Sequence, residues 1–220
     1  MRKGFNILKM KNNPFDTHTK QYEEWFKKNE TIFQSELLAL KQVVPIGNKG
    51  IEIGIGSGIF AEKLNIKYGI DPSEKMLDYA RQRNLEVKKG VAENLPYSDN
   101  SFDFALFMTS ICFVENPIKA IEETHRILHN NGEIIIAIID KENSIGEILE
   151  RNKNESEFYK YATFFSVQKI IKMIEFSGFV ITEIYQTLTS EEIKAIEQPT
   201  KGYGKGSFVV IKGIKAGNKV

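Results

Sequence analysis

The chain alternates short apolar runs with amphipathic stretches. This is the pattern of a parallel sheet with helices on both faces. A first strand is expected over residues 49–53, ending in the glycines at 54, 56 and 58, with a short helix over 59–64. A second strand over 67–70 ends at Asp71-Pro72-Ser73, where Ser73 is placed to cap a helix running to about Arg83. Residues 85–88 form a third strand, and 102–108, almost wholly apolar, a fourth that lies centrally. Ile118, Ile121, Ile127 and Leu128 have helical spacing over 117–128, and Asn130-Asn131-Gly132 reads as the turn closing that helix. Strands follow over 133–139, 179–185 and 207–211, with an amphipathic helix at 167–176 between the first two. The glycine-rich run 202–206 suits a reversal that makes the last strand antiparallel. The expectation is a doubly wound α/β sheet of seven strands. Two segments fall outside the alternation: 15–40, read as helical, and 141–166. Both are placed to cover the crevice at the C-terminal ends of the strands.

Composition adds limits. With 220 residues, the chain suits one domain spanning 1–220, with a full core. A formal net charge of +1 supplies no general attraction to nucleic acid or an anionic membrane. Cys112 is the lone cysteine, so no intrachain disulfide forms, and a reducing, cytoplasmic setting is expected. Residues 1–10 lack a leader's apolar core, and no apolar run approaches the roughly 20 residues that cross a bilayer. Membrane insertion is therefore not expected; oligomeric state is not readable.

The chemistry concentrates at Glu52-Ile53-Gly54-Ile55-Gly56-Ser57-Gly58, where a strand gives way to a helix. Glycines there let backbone approach a ligand, and the helix start offers free N–H groups. They also make ordinary tight turns. Two registers fit: Gly54-x-Gly56-x-Gly58, and Gly56-x-Gly58-x-x-Ala61, which matches the dinucleotide fingerprint. Asp71, ending the second strand, suits a ribose diol, although an Asp-Pro-Ser turn alone accounts for it. Loop and carboxylate together imply a nucleoside-bearing cofactor without choosing which.

The choice comes from Gly90-Val91-Ala92-Glu93-Asn94-Leu95-Pro96-Tyr97-Ser98-Asp99-Asn100-Ser101-Phe102-Asp103. This block resembles the G-x-A-E-x-L-P-(F/Y)-x-(D/E)-x-S-F-D stretch of class I S-adenosylmethionine-dependent methyltransferases, of the ubiquinone/menaquinone-biosynthesis type. Asn116-Pro117, Glu122-Glu123, Arg126-Ile127-Leu128 and Gly132-Glu133 resemble a second stretch of the same branch, in order and spacing. The resemblance covers about residues 50–140. It implies a Rossmann-like methyltransferase sheet, S-adenosylmethionine as cofactor and a small-molecule acceptor: an amine, a hydroxyl or an aromatic ring. It implies that Glu52, Gly54, Gly56 and Gly58 surround the methionine part. Asp71 would hold the ribose hydroxyls, Pro72 and Ala92 would meet the adenine with Glu93 beside it, and Thr109 would reach the methionine end. Many relatives carry an aspartate where this chain has Val91, so that contact to the adenine amino group is in doubt.

Methyl transfer from a sulfonium needs alignment and water exclusion more than a catalytic triad, and no catalytic residue is named. His18, Glu23 and Glu24 are the candidates for a base. Tyr22, Trp25, Phe26, Cys112, Phe113 and Tyr159 are candidates for the acceptor wall, where aromatic faces suit a flat or cationic group; core packing is the alternative for each. Thr109-Ser110-Ile111-Cys112 lacks the motifs of DNA amino- and cytosine-methylating enzymes, so no nucleic-acid partner is expected. His125 and His129 lack carboxylates at ligand spacing, so no metal is expected. A nicotinamide oxidoreductase using the second glycine register, or a protein that binds S-adenosylmethionine without turnover, remain the alternatives.

Overall fold

The computed structural model describes residues 13–190 and 192–216. The expectation that residues 1–10 hold no leader falls outside them. Five parallel strands come first: β1 (Gly50–Ile53), β2 (Tyr68–Asp71), β3 (Glu86–Lys89), β4 (Phe102–Met108) and β5 (Leu128–Ile139). β6 (Phe179–Thr187), β7 (Thr200–Lys201) and β8 (Phe208–Lys215) complete a sheet of order β3-β2-β1-β4-β5-β8-β6-β7. β8 runs antiparallel to both β5 and β6. The fold is the mixed, mostly parallel Rossmann-like sheet expected, with eight strands instead of seven. The extra one, β7, is a two-residue exposed edge pairing with Tyr185 and Gln186. Thr-Lys carries no hydrophobic alternation, so the pattern does not mark it. Gly202 and Gly204, at φ +91 and +95, make the reversal into β8.

Helices cover both faces because the central strands are apolar on both. Along β4, Ala105 and Phe107 pack with α6 (Pro117–Ile127) and α8 (Val167–Phe176). Phe104, Leu106 and Met108 pack on the other side with α3 (Glu30–Leu40) and α4 (Ile59–Leu64). This is the period-two consequence of a strand buried on both faces. As expected, Ser73 caps α5 (Glu74–Gln82), accepting from Met76 N at 3.1 Å.

The turn expected at 130–132 is a correction. α6 ends at Ile127 and β5 starts at once, with Leu128 opposite Phe102 and Glu133 opposite Phe104. The intervening residues are extra on one strand only and loop out of the ladder. Asn131, at φ +62, takes the left-handed conformation such a bulge needs.

The N-terminal segment forms α1 (Pro14–Thr17), α2 (Thr19–Lys28) and α3; the other extra segment contains α7 (Ser144–Asn152). Among the described residues, no helix is long and apolar enough to cross a membrane. No group of three or more His, Cys, Asp or Glu there is arranged to hold a metal ion.

Candidate active site

Strand order reverses between β1 and β4, and their C-terminal ends open the crevice such sheets use for ligands. The chain leaving β1 turns with φ +75 at Gly54, +54 at Gly56 and +78 at Gly58. A Cβ on Gly54 would lie 2.4 Å from that of Ser110, so the exit of β4 closes that side. On Gly56 it would meet nothing nearer than the Tyr22 hydroxyl oxygen, 3.6 Å away. The open side of the loop therefore faces Tyr22.

Asp71 ends β2 directly below. Its Oδ2 accepts from Gly56 N at 2.9 Å and its Oδ1 from Ser73 N at 2.8 Å. Each oxygen keeps lone-pair capacity for a ligand hydroxyl. Burial raises this carboxyl to about 6, the two N–H donors pull it back, and Asp16 adds repulsion. Glu52 is buried beside the loop, and its Oε2 has no partner. Burial, then the charge of Asp71, holds it well above the usual carboxylate range, against one bond from the Ala61 backbone. Burial, then Glu52 and Asp71, likewise keeps the Tyr22 phenol far above its usual range.

One cavity of about 1130 Å³ runs from this loop into the aromatic segments. Its first end is lined by Gly54, Gly56, Asp71, Pro72, Ala92, Glu93 and Thr109; Tyr22, Trp25, Phe26, Phe113 and Tyr159 line the remainder. Gly58 lies off the wall, at the start of α4, where a Cβ would strike Leu85. Cys112 borders a separate small cavity with Thr109 and Tyr159; it donates to Thr109 O at 3.2 Å, and burial pushes its thiol up to about 12.

None of the three candidate bases lines the cavity. Glu23 pairs with Arg83, which also donates to Ser57 O, so this carboxylate ties α2 to the loop. Glu24 lies 3.9 Å from Lys20 one turn away, and His18 lies 3.9 Å from Glu157. The structure also brings in residues that the pattern did not single out: Met108, Ser110, Leu188, Ile193 and above all Glu36 line the cavity. Glu36 had a signal. It is a charged residue three after Phe33 and four before Leu40 on one apolar helix face.

The loop after β3 is held by the second half of the quoted blocks. Arg126 donates to the carbonyls of Leu95 at 3.0 Å and Tyr97 at 2.8 Å, and pairs with Glu123 and Asp99. Glu123 accepts from Leu95 N at 3.0 Å. Glu93 reaches Asn116 N at 3.0 Å. Ala92 and Glu93 are thereby fixed against the cavity by residues about 30 positions downstream.

Residues 51–136 match the model of a family described as methyltransferase domain. A Thermotoga maritima structure, described as a "SAM-dependent methyltransferase, possible histamine N-methyltransferase", is 45% identical with a TM-score of 0.89. The match covers 92% of this chain and 98% of that one. The chain belongs to the class I S-adenosylmethionine-dependent methyltransferases. An uncharacterised protein of Methanocaldococcus jannaschii, MJ1123, is 43% identical to this methyltransferase over 204 residues, covering 92% and 99% of the two chains. A ubiquinone/menaquinone biosynthesis C-methyltransferase of Campylobacter jejuni is 31% identical over 157 residues, 60% of this chain and 66% of that one. The cofactor of this methyltransferase is S-adenosylmethionine. The residues suit it: left-handed glycines give close backbone approach and Asp71 has acceptor capacity for a diol, while Glu52 is buried behind the loop and does not line the cavity.

Proposed function

We propose that this methyltransferase acts on a small-molecule acceptor seated between the glycine loop and the helices α2, α3 and α7. The observation that carries this reading is the continuous cavity of about 1130 Å³ that joins the glycine loop to the aromatic segments. It exceeds the roughly 300–1,000 Å³ of ordinary single-ligand pockets, leaving room for cofactor and acceptor together. Its aromatic wall suits an apolar body of modest size, and a net charge of +1 supplies no general attraction to a nucleic acid. The Campylobacter relative is named for ubiquinone/menaquinone biosynthesis, and the Thermotoga one is described as a possible histamine N-methyltransferase.

In this reading Gly54, Gly56 and Glu52 hold the methionine part, with Thr109 at its end. Asp71 accepts from the ribose hydroxyls, and Pro72, Ala92 and Glu93 border the adenine. When bound, S-adenosylmethionine supplies an electrophilic methyl carbon. The protein's own residues orient the acceptor and keep water away. Thermal unfolding checks the donor: S-adenosylhomocysteine raises the Tm and NAD does not. A rise with NAD alone would transfer the site to a dehydrogenase. Methyl transfer confined to RNA or DNA, in a screen that also contains small amines, phenols and quinols, would remove the small-molecule acceptor.

A further inference from the structure

The cavity also contains a carboxylate that, among the described residues, no hydrogen bond, ion pair or helix cap explains. Glu36, in the middle of α3, is 6% exposed and turned toward the cavity among Ile32, Leu188 and Ile193. Tyr159 stands near it, its phenol pushed far above the usual range by burial first, then by Cys112 and Glu36. Burial alone raises the Glu36 carboxyl to about 8.

The surrounding charges are engaged elsewhere. In the segment after β6, Glu192 pairs with Lys194 and Glu197 accepts from Thr189 N. On the N-terminal helices Glu30 is bonded to Gln34 and Glu23 to Arg83, while His18 faces Glu157. Tyr22, whose phenol senses Tyr159, lies toward the loop with Glu52 and Asp71. Among the described residues, those lining the cavity include four carboxylates, Glu36, Asp71, Glu93 and Glu115, and one cation, Lys119, whose backbone N–H donates to Asn116. A desolvated carboxylate left without a partner is costly, and a ligand that brings a cation relieves the cost.

We propose that Glu36 recognises the acceptor and that the acceptor is an amine, its nitrogen on Glu36 and its apolar body against the aromatic wall. The inference rests on the small-molecule methyltransferase reading given above. At neutral pH the empty site holds Glu36 protonated, whereas an aliphatic amine, with an ammonium pKa of about 10, arrives as a cation. Seating it leaves one proton shared between carboxylate and nitrogen, and one proton departs to solvent. With the shared proton on Glu36, the nitrogen lone pair is free to attack. The N–C bond forms, the S–C bond breaks with its electron pair returning to sulfur, and the positive charge passes to the methylated nitrogen. The product leaves as an ammonium, and Glu36 is again protonated. An alcohol of the same shape displaces no proton and gains only a neutral hydrogen bond.

The test is calorimetry on the full chain saturated with S-adenosylhomocysteine. The probes are 2-phenylethylamine, tyramine and histamine, each against the corresponding alcohol, at pH 7 in phosphate and in Tris. Amines should bind at least about tenfold more tightly than their alcohols, with about one proton released per amine as read from the buffer dependence. Glu36→Gln should abolish both the preference and the proton release while binding S-adenosylhomocysteine as the parent does, which also shows that the variant folds. Equal affinity for amine and alcohol, no binding by any amine, or an undiminished preference in Glu36→Gln overturns the proposal. Failure of the parent to bind S-adenosylhomocysteine overturns instead the cofactor reading on which it rests.

Discussion

Asp71 and Glu36 both line one cavity, and a proton bears on a different property of each. In the proposed cofactor site a ribose diol would donate to Asp71, so the ligand would prefer the ionised form of a carboxyl raised to about 6. Affinity for S-adenosylhomocysteine should hold above pH 7 and weaken as pH falls through about 6. Asp71→Ala should cost about 1–3 kcal/mol at neutral pH and flatten that profile. Titration calorimetry across the range reads both, and an unchanged affinity in the variant removes Asp71 from the role. Glu36 contributes to the pH dependence of stability. Its folded pKa of about 8 lies above that of an unfolded glutamate, about 4.3, so the folded state retains a proton that the unfolded state gives up. Stability from this group is complete below the unfolded value and lost as pH rises through about 8. Glu52 and Asp71 contribute with the same sign in parent and variant, so between pH 5 and 9 the parent should lose on the order of a few kcal/mol more than Glu36→Gln does. Urea unfolding at the two pH values measures the difference.

At the scale of elements, the N-terminal helices are fastened to the cofactor end by polar contacts. Ser73 caps α5 and donates to Asp16 of α1 at 2.6 Å, while Glu23 of α2 pairs with Arg83. Ser73→Ala removes the cap and the tie together and should cost about 1–2 kcal/mol, read by thermal or urea unfolding; an effect below about 0.3 kcal/mol would mean that neither contact contributes. Much at this scale was legible beforehand. Phe102 to Met108 announced a strand buried on both faces, and Ser73 announced a cap, because period and capping are local properties of the chain. The start of β5 was not legible. Asn130-Asn131-Gly132 has the composition of a helix-closing turn, and only its pairing with β4 reveals a bulge. The brace of Arg126 and Glu123 on the 93–99 loop was hidden for the same reason, since its partners lie about 30 residues apart.

For the whole molecule, the two ends of the cavity have different origins. The donor end is made from strand termini and the turns that follow them, so short contiguous motifs reported it. The end proposed for the acceptor is gathered from α2, α3, the 144–161 stretch and residues 188 and 193, which no single motif unites; Glu36 was lost inside an apolar helix. The arrangement makes the choice of recipient a property of the periphery. On the proposed reading, exchanging those peripheral pieces would redirect the methyl group to a new receiver while the sheet went on presenting the same donor. A scaffold divided in this way acquires new substrates without relearning its chemistry.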